Sequence, residues 1–229
     1  MLPDESNDPT VAGFPLEALV ADLRGRCKAA EGIYGGPTHY REEVEIFSRY
    51  AKERGLELHD APAELSRQPD AEGNEHQVWF QEHSSTFLKA TWPGFFGRLV
   101  IQRLDEDSNS SPIEYLERWL LHNQLFGDDI HFLGTISEKG QIRMLIRQPA
   151  IAGDPASEEH INEFFTTNGW APFIVGEETA YFDDVNEVAI SDTHPGNLIL
   201  MKDGLLAPID LRVQKLSGAL LDAVQRLCD

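Results

Sequence analysis

The chain has 229 residues, enough for one core or two small lobes, and its 39 acidic against 19 basic side chains give a formal charge of −20. That balance argues against a nucleic-acid partner, because binding there rests on lysine and arginine neutralising phosphates. Two cysteines at opposite ends, Cys27 and Cys228, make no disulfide framework or cysteine zinc site; no apolar run approaches the ~20 residues of a membrane helix, and the acidic start MLPDESNDPT is unlike a signal peptide, so a cytoplasmic setting without a membrane partner is expected.

In chain order, residues 1–13 read as unstructured. Leu16, Leu19, Val20 and Leu23 recur at helical spacing and predict an amphipathic helix from Pro15 to Ala30. Gly32, Gly35, Gly36 and Pro37 predict a loop. Thr38 then caps a second helix to about Arg54, with Gly55 just past its end and Val44, Phe47, Tyr50 and Ala51 as its apolar stripe. These helices read as an N-terminal extension, residues 1–60, without chemistry of their own. Residues 56–72 form a polar linker with room for one short strand.

From Gly73 to Lys89 the alternation of Val78 and Phe80 with Gln77 and Trp79 predicts a half-buried strand, followed by a polar turn and a return strand ending at Lys89. Ser111 and Pro112 open a helix to about Gln124 with Ile113, Leu116 and Leu120 on one face. Glu117 falls on that face, where an acid is costly unless paired. Phe132–Ile136 and Gln141–Arg147 flank Glu138-Lys139-Gly140 as a hairpin, and Gln148-Pro149 stop its second strand. A helix from Pro155 to Asn168 buries Ile161, Phe164 and Phe165. Two short strands between Glu177 and Ala189 enclose Asp183 and Asp184, which read as a solvated turn because the EF-hand spacing is absent. A last helix runs from Leu216 to Leu227.

The segment Ser191–Leu211, SDTHPGNLILMKDGLLAPIDL, carries the most chemistry. Asp192 stands five residues before Asn197, and Asp210 thirteen after it. Two apolar runs separated by Lys202-Asp203-Gly204 predict a hairpin that returns its end to its start. An acid, an amide and a second acid then converge, and such oxygen ligands suit Mg²⁺. The other reading of the same residues is a surface hairpin with Asp192 capping a turn and Asp210 solvated.

The segment resembles the catalytic loop and metal strand of the protein-kinase-like superfamily, whose signatures are H-R-D-L-x-x-x-N and D-F-G. Its small-molecule branch, aminoglycoside phosphotransferases and choline kinases, shows a D-x-H-P-x-N loop, and Asp192, His194, Pro195 and Asn197 are similar to that version. The resemblance implies Asp192 as base, Asn197 and Asp210 as metal ligands, and His194 among the nucleotide-site residues. It further implies Lys89 on the phosphates, Val78 over the adenine, Gly73 as the one glycine of a glycine-rich strand pair, and Gln148 at the hinge. Glu117 is the implied partner of Lys89, ahead of Glu114; a rim glutamate paired with a nearby arginine is the alternative.

The closer resemblance, over about residues 70–215, is to the kinase-like domains of polyvalent proteins from phages and conjugative elements. It is carried by Gly73-x-Glu75-His76-x-Val78-aromatic, Pro93-Gly94, Phe96-Gly97, Glu114-Tyr115-Leu116-Glu117-Arg118, Asn123, Phe126-Gly127 and Gln148-Pro149. It implies an α+β, bilobal fold: an N-lobe over 61–148 and a reduced C-lobe over 149–229. The implied function is ATP- and Mg²⁺-dependent phosphoryl transfer to a hydroxyl of a protein or small molecule. A catalytically silent pseudokinase is the alternative. Ile190 and Ser191 replace the superfamily's His-Arg, Leu211-Arg212 replace Phe-Gly, and only 19 residues follow Asp210. A third reading is a regulatory or immunity protein of a mobile genetic element, its acidic surface masking a basic partner.

Overall fold

The structure, a computed structural model, describes residues 14–34, 40–101 and 109–228. The expectations for residues 1–13, for the loop at Gly35–Pro37 and for the Thr38 cap lie outside the described residues. The chain divides into two compact units. The first takes residues up to Gly97, Asn109–Leu120 and Asp128–Ala150, and the second takes the remaining described residues.

In the first unit, helices α1 (Leu16–Tyr34) and α2 (Tyr40–Glu53) precede strands β1 (Ala71–Glu72), β2 (His76–Gln81) and β3 (Thr86–Thr91). Helix α3 (Pro112–Phe126) follows, then β4 (His131–Glu138) and β5 (Gln141–Pro149). The strands form one antiparallel sheet in the order β1-β2-β3-β5-β4. The two N-terminal helices are built into its core: Leu19, Leu23 and Phe47 pack in one cluster with Leu116 and Trp119 of α3 and Phe132, Met144 and Ile146 of the sheet. Burying each such side chain contributes about 1.5–3 kcal/mol. Helix α1 also runs four residues beyond the expected Ala30, through Gly32, since a glycine inside a helix costs only ~1 kcal/mol.

The segment read as a polar linker is tied to the sheet. Thr135 N donates to Leu56 O and Leu58 N donates to Thr135 O, both at 2.8 Å, so the free edge of β4 is covered. Gly134 (φ +137°) permits this approach, because a Cβ there would lie 2.5 Å from Leu56 O.

The alternation expected in β2 is interrupted: His76 and Trp79, on opposite faces, are both buried, with Gln77 and Val78 half-buried between them. Trp79 is buried and Phe80 is exposed, lying 5.2 Å from the Phe87 ring. Trp79 joins Leu88 and Leu145 in a second core, and its indole N–H donates to Arg67 O at 3.2 Å. Apolar residues stand on both faces of β2, and only the presence of Leu58 and Leu65 on one side decides that Trp79 is covered.

Arg67 and Asp70 clip the backbone of β2. The guanidinium donates to both Asp70 oxygens at 2.8 and 2.9 Å, and Phe80 N donates to Asp70 Oδ2 at 2.7 Å. The Arg67 hydrogen bonds, then the Phe80 amide, hold the Asp70 carboxyl down from 3.8 to about 2. A depressed acid contributes stability that is complete above its unfolded value and lost as pH falls through its folded one. NMR titration of the Asp70 carboxyl is therefore expected to give a midpoint near 2, and Asp70→Asn to remove the pH dependence of stability between about 4 and 2 that this group supplies. A midpoint near 3.8 would contradict the clip.

The expected hairpin forms from β4 and β5: Ile142, Met144 and Ile146 face the main core, while Leu145 packs with Trp79 on the other face. Arg143 on that second face is buried, donating to Thr91 O at 2.8 Å and Gln77 Oε1 at 2.7 Å.

The second unit holds the end of α3 from Leu121, β6 (Asp154–Pro155), α4 (Glu158–Thr167), β7 (Ala171–Val175), β8 (Glu178–Asp183) and β9 (Val188–Ser191). Then come β10 (Leu198–Leu200), β11 (Leu206–Pro208), β12 (Arg212–Lys215) and α5 (Gly218–Cys228). Two antiparallel sheets run β12-β9-β8-β7 and β11-β10-β6. Helix α4 starts at Ser157, whose Oγ accepts from His160 N; Pro155, expected inside the helix, instead pairs with Ile199 in β10. Ile161, Phe165 and Tyr181 pack with Ile190, Leu198 and Leu211. Phe173, Phe182 and Ala189 pack with Val224 of α5. Asp183 closes the β8–β9 turn by accepting from Val185 N and Asn186 N. Among the described residues no helix is long and apolar enough to cross a membrane.

Candidate active site

Strand β9 is buried along its whole length between β8 and β12, and Ser191 at its end pairs with Arg212. Asp192 follows immediately with φ +63°. Among the described residues three other non-glycine positions have positive φ, namely Ser85, Lys139 and Glu187, and these sit in the tight turns of hairpins. Asp192 instead ends a strand, and aspartate is among the few side chains that tolerate this conformation.

The next five residues wind into a 3₁₀ turn over Pro195–Asn197. His194 Nδ1 accepts from Gly196 N at 3.0 Å, and Asn197 N donates to His194 O at 2.9 Å. The Asn197 amide donates through Nδ2 to Asp192 O at 2.9 Å, which leaves its oxygen as the remaining donor atom for a metal. Hairpin β10–β11 pairs Leu198 with Pro208, and Ile209 N donates to Asn197 O at 2.9 Å. Asp210 therefore leaves the hairpin beside Asn197, and Arg212 stands two residues further on beside Ser191. The expected return of the hairpin to its start is present in the backbone. An amide oxygen and a carboxylate, from the two segments that flank this hairpin, are hard donors of the kind Mg²⁺ takes.

Arg212 was not among the expected site residues. Its Nη2 lies 3.3 Å from Asp192 Oδ2 and its Nη1 3.9 Å from Glu178 Oε2. His194 Nε2 approaches Asp192 Oδ1 at 3.6 Å. The sequence shows Leu211-Arg212 only as a departure from Phe-Gly; the pairing of Arg212 with Ser191 turns its side chain toward Asp192.

A cavity of about 640 Å³ opens beside Asp192 within the same unit. Its walls are the first turn of α4, the turn joining β7 and β8, and the loop 192–194. Ile161 and Tyr181 form its apolar lining. Burial raises the Tyr181 pKa, so the phenol keeps its proton, and its hydroxyl donates to Asn162 Oδ1 at 3.4 Å.

The other expected residues belong to the first unit. Lys89 on β3 is 5% exposed and faces Val78 on β2 and Ile146 on β5 in register. Its Nζ stands 5.5 Å from the Trp119 ring centroid on α3, and the Arg118 guanidinium lies 4.7 Å from the same ring. Arg118 pairs with Glu75, both buried. His76 Nε2 meets Tyr115 Oη at 3.0 Å. Gly97 (φ +84°) lies against this pair; a Cβ there would be 2.9 Å from Glu75 Oε2. Three sequence signatures, Gly-x-Glu-His, Phe-Gly and Glu-Tyr-Leu-Glu-Arg, thus meet in one buried polar cluster around Trp119.

Glu117 Oε1 accepts from Arg24 Nε of α1 at 2.6 Å. Glu114 Oε2 accepts from Ser111 N while Ser111 Oγ accepts from Glu114 N, a capping box that accounts for Glu114. Gly73 closes the β1–β2 turn by donating to His76 O at 2.8 Å, and its carbonyl accepts from the Trp92 indole at 3.1 Å. Gln148 is buried opposite Phe87 in the β3–β5 ladder.

No curated protein and no solved structure matches the chain. A family model described as Serine/Threonine/Tyrosine Kinase found in polyvalent proteins matches residues 40–216. The likeness to aminoglycoside phosphotransferases and choline kinases stays a likeness of the D-x-H-P-x-N loop. From the first residue of α2 to Leu216, through both units, the chain has the α+β fold and sequence of a kinase-like protein, and it belongs to the Kinase-PolyVal family.

Proposed function

We propose that this chain transfers the γ-phosphoryl group of ATP to a hydroxyl with the help of Mg²⁺. The observation that supports this reading is the β10–β11 hairpin, whose Ile209 N to Asn197 O bond returns the backbone just before Asp210 to Asn197, while the Asn197 amide donates to Asp192 O. Asn197 and Asp210 would hold Mg²⁺, which spreads the charge of the phosphate oxygens during transfer. Lys89 binds the phosphates, and Glu117 is its partner on α3. Val78 and Gln148 bound the adenine, Gly73 shapes the β1–β2 turn through its bonds to His76 and Trp92, and His194 shapes the loop against the phosphates. Asp192 takes the acceptor proton as the acceptor oxygen bonds to Pγ; the bond from Pγ to the β-bridging oxygen breaks and ADP leaves. Residues 61–148 and 149–229 act as the two lobes, and the helices within 1–60 serve as part of the first unit's core. A cytoplasmic setting, where ATP·Mg²⁺ is at hand, fits this reading, and the acidic balance of the chain argues against a nucleic-acid partner.

A second reading is a silent, nucleotide-binding member of the family. It is favoured by the Arg212 guanidinium on the Asp192 carboxylate, since an ion pair there engages the group that would receive the hydroxyl proton. Calorimetry with ATP, with and without Mg²⁺, on wild type and Asp210→Asn separates the two. Metal-dependent binding that the variant loses is the expected result. Binding that ignores the metal supports the silent reading, and absence of binding removes both.

A further inference from the structure

We infer that the cavity beside Asp192 selects its acceptor by positive charge, taking a hydroxyl carried next to an ammonium or guanidinium group. The proposal rests on the phosphoryl-transfer reading for the role of Asp192, but the charge selection can be measured without nucleotide.

The cavity, at about 640 Å³, has the size of a small-ligand or side-chain pocket. Its rim carries Glu158, Glu159, Glu177, Glu178 and Asp192, which come from three separate segments of the chain. An acidic chain shows carboxylates everywhere, and two of these have a local cause: Glu158 and Glu159 occupy the first turn of α4, where the helix dipole favours acids. Glu177 and Glu178 have no such cause in the β7–β8 turn. Yet they face the same hollow as the α4 pair and the proposed base.

The nearest cation does not cancel this field. Arg212 lies on Asp192 and Glu178, which leaves Glu158, Glu159 and Glu177 as net negative walls. His194 Nδ1 already accepts from Gly196 N, so its other nitrogen is the one turned to Asp192. Concave walls of one sign focus potential and raise the local concentration of the opposite charge. Ile161 and Tyr181 add an apolar lining suited to an aliphatic stem beneath a charged head. An arginine or lysine side chain near a serine has this chemistry, and so has a small amino alcohol.

The test uses the whole chain and three probes: a labelled serine peptide flanked by arginines, the same peptide flanked by glutamates, and a small hydroxylated diamine. Binding is followed by fluorescence anisotropy for the peptides and by calorimetry for the diamine. The arginine peptide is expected to bind at least ~10-fold tighter than the glutamate peptide, and Glu159→Gln with Glu177→Gln to weaken the cationic probe about 10-fold. Glu45→Gln with Glu82→Gln makes the same charge change on exposed positions of the first unit, and is expected to alter binding less than about 2-fold. Binding of the arginine peptide alone assigns a polypeptide acceptor, and binding of the diamine alone a small molecule. Equal binding of the two peptides with no diamine binding, failure of both cationic probes, or equal losses in the two double variants overturns the inference. Because no step needs ATP, a failed Mg²⁺-dependent nucleotide titration would sink the phosphoryl-transfer reading while leaving this result to stand or fall by itself.

Discussion

Asp210→Ala is expected to lower phosphoryl transfer by ~10²–10³ or more, which is the usual effect of removing one preorganised charge-stabilising group. Lys89→Ala is expected to do the same. The physical reason is common to both. Phosphoryl transfer asks little covalent chemistry of the protein, so most of the barrier is lowered by charges fixed in place before the reaction. Asp210 is fixed by the hairpin, since the Ile209 N to Asn197 O bond anchors the backbone one residue before it. Lys89 is fixed by burial, by the strands on either side and by the Trp119 ring. Turnover of γ-labelled ATP against a basic serine peptide, measured beside thermal melting, checks the prediction. Asp210 is only partly buried, so its variant should keep a melting point close to wild type. Unchanged turnover in either variant would remove the proposed roles.

How much of this was legible beforehand depended on sequence distance. Asn197 and Asp210 flank the two strands of one local hairpin, so turn residues and apolar runs sufficed to return one segment to the other. The β4–β5 hairpin was legible for the same reason, through Lys139-Gly140. Errors came where a distant segment decides. The burial of Trp79 in β2 depends on Leu58 and Leu65, which cover it and leave Phe80 outside. The start of α4 depends on β10, which takes Pro155 as a strand partner. The N-terminal helices were legible as helices, but not as core, because an amphipathic stripe does not say what it packs on. The Gly-x-Glu-His signature was legible as a family mark while its chemistry was not. The partners of Glu75 and His76 lie 43 and 39 residues downstream on α3.

The buried pair Glu75–Arg118 leads to the second large effect. The two side chains are 9% and 4% exposed. Removing one leaves an uncompensated charge in the interior, and such changes cost about 3–5 kcal/mol. Glu75→Ala and Arg118→Ala are each expected to destabilise by that amount in urea unfolding. A double change to apolar residues of similar size, Glu75→Leu with Arg118→Met, should recover much of the loss, since neither charge then needs a partner. The pair also bears on the candidate site. Arg118 and Lys89 both stand over Trp119, so losing Arg118 frees the ring beneath the amine. A double variant that regains stability but still binds ATP poorly would show that the ion pair serves to position Lys89. One that regains both would show that the pair is structural alone. Single variants within ~1 kcal/mol of wild type would mean that the pair is far better hydrated than its burial indicates.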